Sequence, residues 1–287
     1  MSHALLRPVA LAALAAAALA AAAPDADAQA VRRGGGAAGF TANVLDRNDD
    51  ESTEDPVNIG FNVNYAGQAW SQLYVNNNGN VTFDRALSQF TPSALTGATA
   101  NPIIAAFFAD VDTRGERSAV TTYGSGTVDG RAAFGVNWDG VGYFANYDDK
   151  LNVFQLLLID RSDVGAGNFD IEFNYDRILW ETGDASGGTD GFGGTSAAVG
   201  YSQGSGAPGT FAELDGSFVN GALLDSGPNA LVRGSLGSDV LGRYVFNVRG
   251  GTVVTPPVST VPEPATVALV GAGLLAVAGA ARRRATA

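Results

Sequence analysis

Between residues 169 and 175 the chain alternates without a break. Phe169, Ile171, Phe173 and Tyr175 are apolar, and Asp170, Glu172 and Asn174 stand between them. A period of two belongs to a strand with one face on a core, and a helix cannot use it. It predicts a β-strand here, apolar side inward and acidic side to water. Val57, Ile59, Phe61 and Val63 repeat the pattern. Leu73-Tyr74-Val75 and Val81-Thr82-Phe83 flank Asn78-Gly79, a pair suited to a type I′ hairpin turn because both central residues there need positive φ. Residues 103–109 are a short apolar run closed by Pro102 and Asp110, read as a buried strand. Residues 131–138 and 152–159 are two more, the second apolar enough to be covered on both faces. The link 162–168 joins 152–159 to 169–175 as a hairpin, and residues 197–201 and 243–248 are late strands. Six glycines in the twelve residues 183–194 mark a loop. No repeat of 20–50 residues is present, which excludes a solenoid or propeller. The expected fold is all-β: one β-sandwich-like domain with long glycine-rich loops.

The two ends are of a different kind. Residues 1–30 have the build of a signal peptide: Arg7, an apolar stretch 9–23, and Ala28-Gln29-Ala30 as a small-x-small cleavage site, with Ala26-Asp27-Ala28 competing two residues earlier. Ala28 and Ala30 are therefore the candidate cleavage positions, and an N-terminal signal helix is expected. Residues 31–39, with Arg32-Arg33-Gly34-Gly35-Gly36, read as a flexible leader, 40–250 as the β domain, and 251–260 with Pro256-Pro257 as a linker. At the far end, Pro262-Glu263-Pro264 precede the uncharged run 265–281, and Arg282-Arg283-Arg284 follow it. As a helix that run is about 25 Å long, enough for a thin bilayer, with the arginines held on the cytoplasmic side.

These three parts, in this order, resemble the PEP-CTERM sorting signal, spanning residues 261–287. The resemblance implies that a membrane-embedded exosortase recognises the motif and removes the tail after transient insertion in the inner membrane. The protein would then be exported to the cell surface or exterior. Without processing, the same run is a transmembrane anchor. Both outcomes stay open from the sequence.

Composition narrows the chemistry. There is no cysteine, so no disulfide holds the fold, and the one histidine, His3, lies in the signal peptide. Ser-His-Asp and Cys-His hydrolases and zinc sites built on imidazole or thiolate are excluded. Carboxylate chemistry, as in glycosidases, is not. The net charge of −12 argues against nucleic acid and anionic membrane surfaces as partners. It suits solubility, cationic partners or Ca²⁺.

Five blocks carry a second resemblance: residues 73–83 (Leu-Tyr-Val-Asn-Asn-Asn-Gly-Asn-Val-Thr-Phe), 104–113 (Ile-Ala-Ala-Phe-Phe-Ala-Asp-Val-Asp-Thr), 136–143, 152–158, and Phe173-Asn174-Tyr175 leading to Trp180. Together they resemble the NIDO domain, the extracellular module first described in nidogen and found in mucin-like and bacterial surface proteins. The glycine-rich loop 183–194 departs from that pattern. The resemblance implies an association with cell–matrix adhesion and brings no catalytic or ligand-binding residue with it.

Candidate sites are acidic or aromatic. Asp110 and Asp112 flank Val111 just after a buried strand. They are either two oxygen ligands of a Ca²⁺ site or turn carboxylates paired with backbone amides and arginine. Asp46, Asn48 and Asp50 have the first three spacings of a calcium loop, but Glu51 stands where an EF-hand needs glycine and Val57 where it needs Glu. The alternative is a solvated charge run. Trp70, Trp138, Trp180, Tyr65, Tyr74, Tyr143 and Tyr147 are either core or a sugar-binding face. Asp148-Asp149 before Lys150 would serve a glycosidase only if a second carboxyl faced them. The expectation is a non-enzymatic exported surface protein that binds extracellular polysaccharide or a matrix or surface protein, with Ca²⁺ the one candidate cofactor. The alternatives are a carboxylate-dependent glycan hydrolase and a structural matrix protein without a specific ligand.

Overall fold

The computed structural model describes residues 29–33 and 39–254. Residues 1–28, with Ala28, and 255–287, with the Pro-Glu-Pro motif, the apolar run and Arg282–Arg284, lie outside the described residues, as do 34–38. Among the described residues no helix is long and apolar enough to cross a membrane.

The chain is all-β. In order the strands are β1 (Asn43–Leu45), β2 (Val57–Tyr65), β3 (Gln68–Asn76), β4 (Asn80–Thr82), β5 (Ile103–Phe108), β6 (Val111–Asp112), β7 (Thr121–Val128), β8 (Arg131–Tyr143), β9 (Tyr147–Asp160), β10 (Phe169–Arg177), β11 (Gly188–Thr189), β12 (Phe192–Gly193), β13 (Ala198–Ser202), β14 (Phe211–Glu213), β15 (Arg243–Arg249) and β16 (Thr252–Val254). One large sheet runs β1-β7-β8-β9-β10-β15-β16, with β6 on the end of β8, and a second runs β14-β13-β5-β4-β3-β2. Every strand pairing is antiparallel, so hairpins and loops connect them without crossover helices.

The sheets share one apolar core, to which β2, β3 and β5 bring Ile59, Val63, Leu73, Val75 and Phe107 and β8–β10 bring Trp138, Phe154, Leu156, Phe169 and Phe173. Rings meet across the layers: Phe107 with Phe154 at 5.3 Å, Tyr65 with Phe169 at 6.1 Å, Tyr201 with Phe246 at 5.6 Å. The buried Tyr175 hydroxyl donates across the core to the carbonyl of Ala106 (2.6 Å). Each buried Phe contributes about 1.5–3 kcal/mol, and the pairwise ring geometry adds to that.

Several expectations need correction. The polar side of β10 does not face water: Asp170, Glu172 and Asn174 are all buried. The leader covers part of it. Ala30 and Val31 are buried, Arg32 grips Glu172 with Nε and Nη2 (2.7 and 3.1 Å), and the Arg32 amide donates to Gln155. The start of the leader is thus docked. The reason is that a row of carboxylates on a sheet face is a good receptor for two consecutive arginines.

Asn78-Gly79 does close a hairpin, but only Gly79 has positive φ (77°), and three residues lie between the paired Asn76 and Asn80. This is the longer hairpin turn with glycine at the left-handed position. A Cβ on Gly79 would come within 1.7 Å of the Phe107 carbonyl oxygen. The loop 183–194 holds a two-stranded ribbon, β11–β12, and Thr252–Val254, assigned to the linker, pairs with β15 instead.

Candidate functional site

Sequence-distant turns meet at one end of the two sheets: the acidic loop 46–55, the turn 77–79, the Asp110–Gly115 segment after β5, and the β8–β9 tip. Asparagines tie them. The Asn77 side chain donates to the carbonyls of Asp49 and Val111 (2.6 Å each), and Trp138 Nε1 donates to the Asn77 carbonyl (2.8 Å). Asn78 donates from Nδ2 to Asp50 Oδ1 (2.9 Å) and accepts the Val111 amide on Oδ1 (2.8 Å). Both asparagines are buried, and buried amides of this kind keep their place only when fully partnered. The Arg47 guanidinium gathers the carbonyls of Thr113, Gly115 and Ser118.

Within this frame Asp49, Asp50 and Asp110 each bring a carboxylate oxygen within 4.8 Å of the others. Asp110 is 1% exposed and neither of its oxygens has a hydrogen-bond partner. Asp49 Oδ1 is buried and unpartnered too, while its Oδ2 lies 2.8 Å from Arg114 Nη2. Burial first, then the charges of Asp49, Asp50 and Asp112, push the Asp110 carboxyl up to about 7. Burial and the charges of Asp112 and Asp50 push Asp49 up to about 6. Gly183 forms the neighbouring wall as bare backbone: a Cβ there would stand 2.3 Å from Asp110 Oδ2.

Asp112 is differently placed. Burial opposes its ionisation, but the Arg114 guanidinium (2.9 and 2.7 Å), the Arg114 amide (2.8 Å) and the Asn146 amide (2.9 Å) outweigh it, leaving its pKa below the usual range. Asp112 thus takes the turn-carboxylate reading. Of the calcium-loop triplet only Asp50 reaches the cluster. Asp46 is exposed, and the Asn48 amide is spent inside its own loop, donating to the Asp46 carbonyl and accepting the Glu51 amide. Asp49 is the residue that spacing missed, because it stands between the positions that a calcium-loop template reads.

The β8–β9 tip separates this cluster from a cleft. Its three-residue turn has Ala145 and Asn146 at φ 71° and 59°. The Asp110 carbonyl accepts the Phe144 amide (3.1 Å), joining the tip to the cluster. Beyond it Tyr143, Asn146, Tyr147, Asp148, Asp149 and Asp190 line a shallow cleft of about 270 Å³. Tyr147 exposes its ring there and stacks on Tyr143 at 5.1 Å; the exposed Phe192 lies next to the lining, joined to it by Lys150, whose Nζ is 5.5 Å from the Phe192 ring centre and 5.7 Å from that of Tyr143. Lys150 and then the Tyr143 hydroxyl hold Asp149 below the usual carboxylate range; the Arg117 amide and guanidinium do the same for Asp148. The other aromatics are core or half-buried: Trp138, Trp180, Tyr65 and Tyr143 are fully enclosed, Trp70 and Tyr74 partly so. A larger pocket, about 370 Å³, opens between the 214–215 and 228–236 loops. Its Arg233 is tied to the Gly227 carbonyl, and it lies on other loops than the acidic cluster.

No solved structure matches the chain. Alpha-tectorin of Mus musculus is 32% identical over 182 residues, and alpha-tectorin of Homo sapiens and of Gallus gallus 31% over 177 residues. In each case the match covers 54% of this chain and 8% of the relative, so the chain spans under a tenth of the length of these proteins. The PEP-CTERM protein-sorting motif matches residues 260–284. The nidogen-like domain matches residues 71–250, from within β3 to the turn after β15, and the chain belongs to the nidogen-like (NIDO) domain family.

Proposed function

We propose that this protein is a non-enzymatic component of the cell surface or extracellular matrix, handed out through exosortase, whose nidogen-like domain binds extracellular polysaccharide at the Tyr147–Phe192 cleft. The observation that carries the reading is the pairing, on one chain, of an extracellular domain type with a surface-sorting motif. The cleft supports the polysaccharide arm, since flat exposed rings bordered by ionised carboxylates suit the apolar faces and hydroxyls of sugars. A glycan hydrolase would need one carboxyl held protonated opposite a second. Asp148 and Asp149 are both held ionised, which favours binding over cleavage.

Two measurements test this. Intact mass of the native protein from medium and membranes should give a form beginning at Gln29 or Val31 and ending near residues 261–264. A full-length C-terminus found only in membranes would replace the matrix role with display from a permanent anchor. Retention of the purified protein on the host's polysaccharide should fall about tenfold or more in a Tyr147→Ala, Phe192→Ala double variant, a loss of about 1.4 kcal/mol or more. Equal retention of the two proteins would remove the cleft, and no retention of either would leave a structural filler or a protein partner.

A further inference from the structure

We propose that Asp49, Asp50 and Asp110 form a binding site for one divalent, oxygen-preferring cation, of which Ca²⁺ is the fitting member. The site is separate from the cleft and stands or falls without it.

The argument begins with Asp110. A carboxylate removed from water without a partner is among the most costly groups a fold can hold. Asp110 is 1% exposed with both oxygens unpartnered, and one of them lies within 4.8 Å of a carboxylate oxygen of Asp49 and of Asp50. Protein charge does not resolve this. Arg114 is the cation in contact with the group, and it is engaged twice by Asp112 before it reaches Asp49. Asp112 and Arg114 cancel each other, and three carboxyl groups crowd within 4.8 Å of one another.

The surroundings are built to hold the oxygens where they are. Asn78 fixes Asp50 from one side and the Val111 amide from the other, so the acidic loop and the start of β6 keep a set distance. Asn77 ties the Asp49 carbonyl to the same strand. Gly183 packs against Asp110 as bare backbone, where a Cβ would stand 2.3 Å from Oδ2, so the carboxylate is backed by a close wall. All three ligands are hard oxygens, with no nitrogen or sulfur among them. That donor set selects Ca²⁺ or Mg²⁺ over zinc or copper, and ligands from an irregular loop completed by water suit the irregular six- to eight-fold shell of Ca²⁺ better than a strict octahedron.

Bound there, the cation would clamp the 46–55 loop to the end of β5. Through the Phe144 amide on the Asp110 carbonyl it would also steady the β8–β9 tip.

The test is thermal unfolding of the purified secreted protein in EDTA and in Ca²⁺, with calorimetric titration of CaCl₂. With a Kd of about 10⁻⁴ M, typical of extracellular modules, about 10 mM Ca²⁺ should raise Tm by about 5–10 °C, with one site per chain. Asp110→Asn should abolish the rise and melt no lower than the parent in EDTA, because the change removes a repelled charge and keeps the shape. Glu54→Gln, in the same acidic loop and outside the triad, should keep the full rise. The proposal is overturned if the parent shows neither heat nor a Tm shift, or if Asp110→Asn still responds. It is equally overturned if Glu54→Gln loses the response too, since diffuse screening of the loop would then explain it.

Discussion

Two groups of carboxylates, one buried on β10 and one half-buried around the buried Asp110, have opposite surroundings. On β10, Asp170 is held by Arg161 and Arg249 (2.9 and 2.7 Å), and Glu172 by Arg32 and Arg243 (2.7 and 3.4 Å). At the loop end, Asp49, Asp50 and Asp110 share what remains of one arginine. The first group is complete within the protein. Its acids are structural, each held by two guanidinium groups. The second is incomplete in protein charge: Asp110 and one oxygen of Asp49 lack a partner, within 4.8 Å of Asp50. Acidity alone therefore says little about a site; the count of partners does.

The comparison can be broken at its complete side first. Glu172→Ala leaves Arg32 with only the exposed Asp129 at 3.6 Å, removes the carboxylate from the mostly buried Arg243, and takes an acceptor from Asn174. The expected loss is about 3–5 kcal/mol, read as a lower denaturation midpoint in urea. If Glu172→Ala proved neutral while Asp110→Asn in EDTA was costly, the two groups would have been assigned the wrong way round.

A smaller effect is expected from Arg32→Ala. Glu172 keeps Arg243 and Asn174, so the loss should be about 1–2 kcal/mol. Amide exchange should speed up at Val31, whose N–H bonds Asp176 Oδ1 (3.0 Å), and leave β8 and β9 protected. Unchanged exchange there would mean that the leader docks through its backbone and apolar contacts alone.

The smallest change sharpens the other side. Ala145 is held at φ 71° above the acidic cluster, a conformation that costs an L-residue with a Cβ about 1–2 kcal/mol and glycine far less. Ala145→Gly should therefore gain about 0.5–1 kcal/mol, seen as a small rise in Tm. A loss instead would show that the Ala145 methyl contributes packing that outweighs its backbone strain.

Much of the fold was readable from the residues, and the misses have physical causes. The strands at 57–63, 103–109, 131–138, 152–159 and 169–175 announce themselves through period two or continuous burial. β7 does not, because Gly124 and Gly126 interrupt its pattern: the Gly126 position is filled by the Phe40 ring, which a Cβ would meet at 2.8 Å. β16 is hidden because the proline-rich stretch after it sets the local composition. The docking of residues 30–33 has no local signal, since it depends on a sheet face that forms more than a hundred residues later. The same holds for the hub of Asn77 and Asn78, whose partners lie in the acidic loop and beyond β5.

The sequence by itself determined the class of the fold, the chemistry ruled out with histidine and cysteine, and the family with its sorting motif, because each is carried by local pattern or by residue type. Only the tertiary structure decided which acids are spent and which are spare. Asp110 and Asp112 are two residues apart and look alike on the page. One is covered by Arg114 and the Asn146 amide, the other by none, and that difference arises from what distant chain segments bring within hydrogen-bonding reach.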